Sequence, residues 1–163
     1  MTLGALHLLG GGLLALAGAL LGGEKLAEQE RRRRCLRTLA QALGRLEREL
    51  ETLQNPLGEL FARLTDCPFF YLVSAGFGTQ PLEQLWQSAA AVQPLAEAER
   101  TALASLGSVL GRCAAAKQSA EIAMVRSSLT DAAEALEREI AERGRRLPVL
   151  GAALGAIVAA VLF

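Results

Sequence analysis

Leucines at positions 36, 39, 43, 46, 50, 53, 57, 60 and 64 recur in alternating steps of three and four residues. That spacing lines them along one side of a helix as a heptad-like seam. Between them lie Arg37, Arg45, Glu47, Arg48, Glu49 and Glu51, a charged outer face suited to packing against other helices in water. Asn55 and Pro56 interrupt the seam without shifting its phase. Asparagine is a good N-cap and proline a good first helical residue, so the pattern predicts a long helix ending near Gln54 and a shorter one restarting at Pro56. A second seam runs through Ile122, Val125, Leu129, Ala132, Leu136 and Ile140, with no strong breaker from about Ala114 until Pro148. It predicts a second long helix, and the two would bracket shorter ones.

The shorter elements carry their own punctuation. Cys67 to Val73 is an apolar run containing Phe69, Phe70 and Tyr71, read as a buried helix that plugs the bundle. Gly76 and Gly78 break the pattern, Thr79 can cap, and Pro81 opens a helix with Leu82, Leu85, Trp86 and Ala89 on one side. Trp86, the sole tryptophan, has apolar neighbours at helical spacing and reads as a core anchor. Pro94 starts a further helix with Leu95, Ala98, Ala102, Leu106 and Leu110 in sequence and Leu103 beside them; Gly107 weakens it and Gly111 stops it.

Both ends differ from the middle. Residues 1–23 contain no formally charged side chain and, at ~1.5 Å per residue, are long enough to span a bilayer. Ala15-Leu16-Ala17 resembles a signal-peptide cleavage site, yet Lys25 and Arg31 to Arg34 follow the apolar run and no Lys or Arg precedes it. That order favours an uncleaved anchor. Residues 147–163 are again uncharged, with Pro148 in the first turn, and read as a second, short membrane helix. Arg143, Arg145 and Arg146 precede this span as Lys25 and Arg31, Arg32, Arg33 and Arg34 follow the first, so both basic clusters place the middle in the cytoplasm. Gly18 with Gly22 and Gly151 with Gly155 offer small-residue packing faces within the spans. The chain therefore reads as all-α: a transmembrane helix over 1–23, a cytoplasmic bundle of about six helices over 24–146, and a transmembrane helix over 147–163.

Composition narrows the chemistry. Aromatic residues make up 4% of the chain, a helical rather than a sheet composition. The 17 basic residues balance the 17 acidic ones, so there is no net attraction to nucleic acid. Cys35, Cys67 and Cys113 are odd in number with no close pair, which suggests neither a disulfide framework nor a zinc site and fits small buried residues in a reducing compartment. The only histidine, His7, lies in the first span, and no Gly-Lys-Ser/Thr phosphate loop exists. Glu47 and Glu49 stand among arginines, where salt bridging outweighs acid–base work. The expectation is a non-enzyme with no catalytic residue, cofactor or metal. For the Arg31 to Arg34 run a lipid-proximal, solvated role is favoured over protein docking, and nucleic-acid binding comes last. Acid-before-base pairs four apart, Glu28 with Arg32, Glu30 with Arg34, Glu134 with Arg138, Glu139 with Arg143 and Glu142 with Arg146, would support the helices.

The layout of short motifs resembles a known family. Gly23-Glu24-Lys25-Leu26 after the first span, Leu46-Glu47-Arg48-Glu49-Leu50, Asn55-Pro56-Leu57, Trp86 followed by Ala89, Leu106-Gly107 with Leu110-Gly111 and Gln118, and a closing span resemble the stage III sporulation protein AB family of endospore-forming bacteria. Ala114 stands where that family usually has an Asp, and Asn55 where it has a Thr. The resemblance implies a component of the transenvelope complex between mother cell and forespore, in the mother-cell membrane around the forespore. It also implies a helical domain similar to the inner-membrane F protein of type II secretion and type IV pilus systems, the platform contacted by a hexameric ATPase. A secretion-type sporulation ATPase and other stage III channel subunits would be the partners. Asn55, Glu59, Gly76 and Pro81 are the expected partner-binding residues, since a soluble partner reaches them without displacing lipid. The alternative is a membrane-tethered adaptor whose Leu36 to Leu64 seam pairs with a second chain; a homo-oligomer is left open, and a third reading is a secreted helical protein with a cleaved signal.

Overall fold

A computed structural model describes the backbone of residues 3–52 and 56–162 and the side chains of residues 25–51 and 56–142. Among the described residues there are six helices: α1 (Leu3–Thr52), α2 (Leu57–Arg63), α3 (Pro68–Gly76), α4 (Leu82–Ala91), α5 (Glu97–Val109) and α6 (Ala115–Leu162). The fold is all-α, its sole β feature among them an isolated bridge between Phe77 and Gln80. The chain divides into one unit of residues 32–139 and another made of Met1–Arg31 and Ile140–Phe163. Among the described residues no helix is long and apolar enough to cross a membrane. The side chains on which the transmembrane expectation falls lie outside the described residues, as do Gly18, Gly22, Gly151, Gly155, Arg143, Arg145 and Arg146.

In the 32–139 unit the two seams meet. Leu36, Leu39, Leu43 and Leu46 on α1 are buried, as are Ile122, Val125, Leu129 and Leu136 on α6. Polar pairs along their margins show the helices to be antiparallel. Arg33 and Arg37 reach Glu137, Glu47 reaches Arg126 at 3.4 Å, and Glu51 accepts from Ser119 Oγ at 2.6 Å. The seam on α6 drifts slightly from the expected line, with Ala133 buried in place of Ala132 and Ile140 half-buried. On α1 it thins toward the end of the helix, where Leu50 is half-buried.

Two prolines sit one step outside the helices they were expected to open, and a third lies further out. α1 is described as far as Thr52, and the expected end near Gln54 and the cap Asn55 lie outside the described residues. Pro56 (ψ 138°) and Pro81 (ψ 135°) are N-caps rather than first helical residues. A proline loses nothing there, because a cap contributes its carbonyl: Pro56 accepts from Glu59 and Leu60, and Pro81 from Leu85. Pro94 sits within a tight turn closed by the Leu95 N–H on the Gln93 carbonyl at 2.8 Å, and α5 starts only at Glu97. Thr79 caps no helix; its hydroxyl donates to the Gly76 carbonyl at 2.6 Å and closes the end of α3. The buried side of α5 is also rotated from the expected one. It carries Glu99, Leu103, Leu106 and Gly107, whereas Ala98 is exposed.

The short helices pack around Trp86, which is fully buried. Phe69, Phe61 and Phe70 surround it with ring centroids at 4.8, 5.7 and 5.7 Å. Its indole N–H donates to the Leu103 carbonyl at 2.7 Å. Gly107 makes this approach of α4 and α5 feasible, because a Cβ there would lie 2.7 Å from Trp86 Cβ and 3.2 Å from Glu83 Cα. α3 plugs the core with one face only: Phe69, Phe70 and Val73 are buried, while Tyr71 and Leu72 are 60% and 39% exposed. Gly111, at φ +75°, terminates α5 as its sequence position predicts. No side chain at Ala114 can cap α6, and Gln118 ties the turn instead. Its Oε1 accepts the Gly111 N–H at 3.2 Å and its Nε2 donates to the Cys113 carbonyl.

Candidate functional site

Where α1 stops and α6 begins, three segments meet to form one end of the bundle. They are the start of α2, the turn between α3 and α4, and the turn between α5 and α6. Phe77 joins the first two. Its ring lies edge-on to Phe61 with centroids 5.5 Å apart and rests on Gly58, where a Cβ would come within 2.9 Å of the ring. Phe77 nevertheless stays 43% exposed. Gly78, at φ +86°, takes the left-handed turn that follows. The third segment is drawn in by Leu57, whose Cδ1 would lie 3.1 Å from a Cβ at Gly111, and by the Glu83–Arg112 ion pair at 3.2 Å.

Of the expected partner-binding residues, Glu59 and Pro81 are exposed at this end. Gly76 serves the packing of the bundle, since a Cβ there would lie 2.5 Å from Leu85 Cδ1. It lets α3 close on α4 and is itself half-buried. Phe77 does not stand out in the sequence, because a lone aromatic residue between two glycines belongs to no periodic face.

The basic run divides in two. Arg31 and Arg34 are exposed, but Arg32 and Arg33 are half-buried. Arg32 donates through Nε and Nη2 to both carboxylate oxygens of Glu99, at 3.1 and 2.5 Å, in place of the expected pairing with Glu28. Glu99 is 6% exposed and also accepts the Ala96 N–H at 2.7 Å. This is half of a capping box, since Ala96 has no side-chain acceptor to complete it. The hydrogen bond to Glu99 outweighs desolvation and raises the Arg32 pKa above its ordinary value. Arg32 and Arg33 are thus engaged by carboxylates of the bundle, so the run is not solvated along its whole length. Among the other expected pairs, Glu134 and Arg138 do meet, at 3.3 Å. Replacing Glu99 by Ala removes three charge-assisted hydrogen bonds, and a loss of roughly 1.5–3 kcal/mol is expected. Urea unfolding followed by Trp86 emission checks this, with Glu97→Ala as the exposed control.

The cysteines are all free. Cys67 is buried, as expected of these small residues, whereas Cys35 and Cys113 are half-buried. Burial first, then the neighbouring Cys67 and Glu99, pushes the Cys35 thiol up to about 11. Burial also raises Cys67, partly offset by the Phe70 and Phe69 N–H groups, although neither makes a full cap hydrogen bond to the sulfur. Among the described residues no group of three or more His, Cys, Asp or Glu could hold a metal.

The family model of stage III sporulation protein AB matches residues 7–163. No curated protein and no solved structure matches the chain. The match runs from within the first uncharged segment, through every helix of the bundle, to the last residue, and the chain belongs to the stage III sporulation protein AB family.

Proposed function

We propose that this protein is a non-catalytic membrane platform of the sporulation apparatus between mother cell and forespore. In this reading the uncharged ends anchor it in the mother-cell membrane, its bundle is cytoplasmic, and the bundle docks a secretion-type ATPase alongside other stage III channel subunits. Such a platform needs a rigid helical body and a contact surface rather than convergent polar groups, and it needs neither cofactor nor nucleic acid. The observation that carries the reading is the end built from three segments, where Glu59, Phe77 and Pro81 are exposed on a base held by Gly58, Phe61 and Leu57. A half-exposed aromatic ring beside an exposed carboxylate is the make-up of an interface anchor with a polar rim. The opposite basic end is less suited, because Arg32 and Arg33 are held by Glu99 and Glu137.

The adaptor alternative asks the Leu36 to Leu64 seam to pair with a second copy. Leu36, Leu39, Leu43, Leu46, Leu60 and Leu64 are at most 1% exposed within the single chain, so that face is already covered. The test is recruitment of the ATPase to membranes, normalised to inserted protein. Glu59→Arg is expected to weaken recruitment more than Arg31→Glu, which mainly disturbs membrane affinity. Full recruitment with Glu59→Arg and loss with Arg31→Glu would move the docking site to the basic end.

A further inference from the structure

The outward faces of α3 and α4 carry almost no charge. Residues 67–96 contain a single charged side chain, Glu83, in a chain that is 21% charged, and that carboxylate is held by Arg112 at 3.2 Å. Of the large apolar side chains left exposed among the described residues, Tyr71, Leu72, Phe77 and Val92 belong to this stretch and only Leu26 and Met124 lie elsewhere. On α3 the exposed positions are Pro68, Tyr71, Leu72 and Ala75, which share one side of a helix. On α4 they are Gln84, Gln87, Ser88 and Ala91, with the same spacing. Leu85 packs on Gly76 and Trp86 on Phe69, so the two stripes stand on neighbouring helices. Burial of Phe69, Phe70 and Val73 accounts for one side of α3 and leaves the other unexplained. A helix apolar on all sides is normally covered on all sides, and clustered exposed apolar side chains mark a contact.

The make-up of the surface selects its occupant. A lipid surface is met by Lys and Arg beside the apolar residues, and here glutamine and serine stand in their place. A charged partner would find nothing to pair with. A second copy brings the same uncharged stripes, so no charge is desolvated, and side-chain amides, which both donate and accept, can bond to their own kind across a two-fold axis. We propose that the outward face of α3 and α4 is where two copies of this chain meet, with Tyr71 and Leu72 at the centre of the contact and Gln84 and Gln87 at its rim. The extent of the face sets its strength. The two stripes and Val92 supply nine exposed residues, fewer than half of the roughly 20–30 a side of a standard interface, so free chains pair weakly. Anchoring in one membrane raises the effective concentration, to the order of millimolar for short tethers, and pairing follows there. The inference rests on the membrane reading for where the pair forms and not for which face forms it.

The experiment is energy transfer between donor-labelled and acceptor-labelled full chains in vesicles of neutral lipid, over a range of protein densities. Transfer above that of randomly placed chains is expected, and Tyr71→Glu and Leu72→Glu should each weaken association by about tenfold or more. Both positions are exposed, so the single chain accommodates a carboxylate there, and Trp86 emission verifies that the core is kept. Met124→Glu, at an apolar position on α6 as exposed as Tyr71 (61% against 60%), should leave transfer unchanged, as should Glu59→Arg at the end proposed for the ATPase. A chain that fails to insert would refute the membrane reading and not this one; sedimentation of the full chain at about millimolar concentration then reads the same variants. Transfer no greater than random, full association in both glutamate variants, an equal loss with Met124→Glu, or a monomeric chain in which Tyr71→Glu abolishes binding of another channel subunit would each overturn the proposal.

Discussion

Trp86→Ala is expected to lower the unfolding free energy of the bundle by about 3–5 kcal/mol, within the range for emptying a buried aromatic site. The ring is fully buried and touches Phe61, Phe69 and Phe70, one aromatic residue from α2 and two from α3. Its removal opens a space bounded by four different helices, since α5 is joined through the Leu103 carbonyl. Partial collapse is hindered because Gly107 already brings α4 and α5 to their closest approach. Trp86→Phe separates the two contributions. It keeps most of the ring packing and loses only the indole hydrogen bond, for a cost of about 1 kcal/mol. Urea unfolding of the 24–146 segment, followed by far-ultraviolet circular dichroism, measures both. Equal and small losses for the two variants would show that the aromatic cluster is not the centre of the core.

Leu43→Ala is expected to cost roughly 2–5 kcal/mol, and Leu50→Ala a fraction of that. The two leucines stand one heptad apart in the same seam and are equivalent by spacing. In the structure Leu43 is fully buried between α1 and its neighbours, whereas Leu50 is half-buried on the rim of a groove bordered by Ala116 and Ala120 of α6. Alanines opposite leave the leucine less surface to lose. Against the ~5–15 kcal/mol that holds an ordinary domain together, the Leu43 loss is a large share. Trp86 emission during urea unfolding reads both variants. Equal losses would mean that α6 closes over Leu50 more tightly than its half-burial indicates.

The all-α class, the number of bundle helices and the two long seams were legible because leucine spacing and the positions of glycine and proline are local properties of a chain. Leu36, Leu39, Leu43 and Leu46 had to share a face on any helix, and Gly111 had to end one. The family was legible through the order of its short motifs. Helix starts were less so. Proline is compatible with both the N-cap and the first turn, and the choice depended on which carbonyl accepted the first helical bonds.

Contacts between distant residues decided the rest. Nothing near Arg32 in sequence distinguishes it from Arg31, yet it faces the bundle and finds Glu99 sixty-seven residues away. Gly107 looked like a helix-weakening residue and proved to be the contact point for Trp86, a role visible only once α4 lay against it. Phe77 gained its place at the exposed end from Gly58 and Phe61, and Cys35 and Cys67 came to share a cavity across the bundle. Periodicity tells which side of a helix is buried. It carries no record of which side chain of another helix will be there, because that depends on rotation and approach distances set by the packing of the whole core.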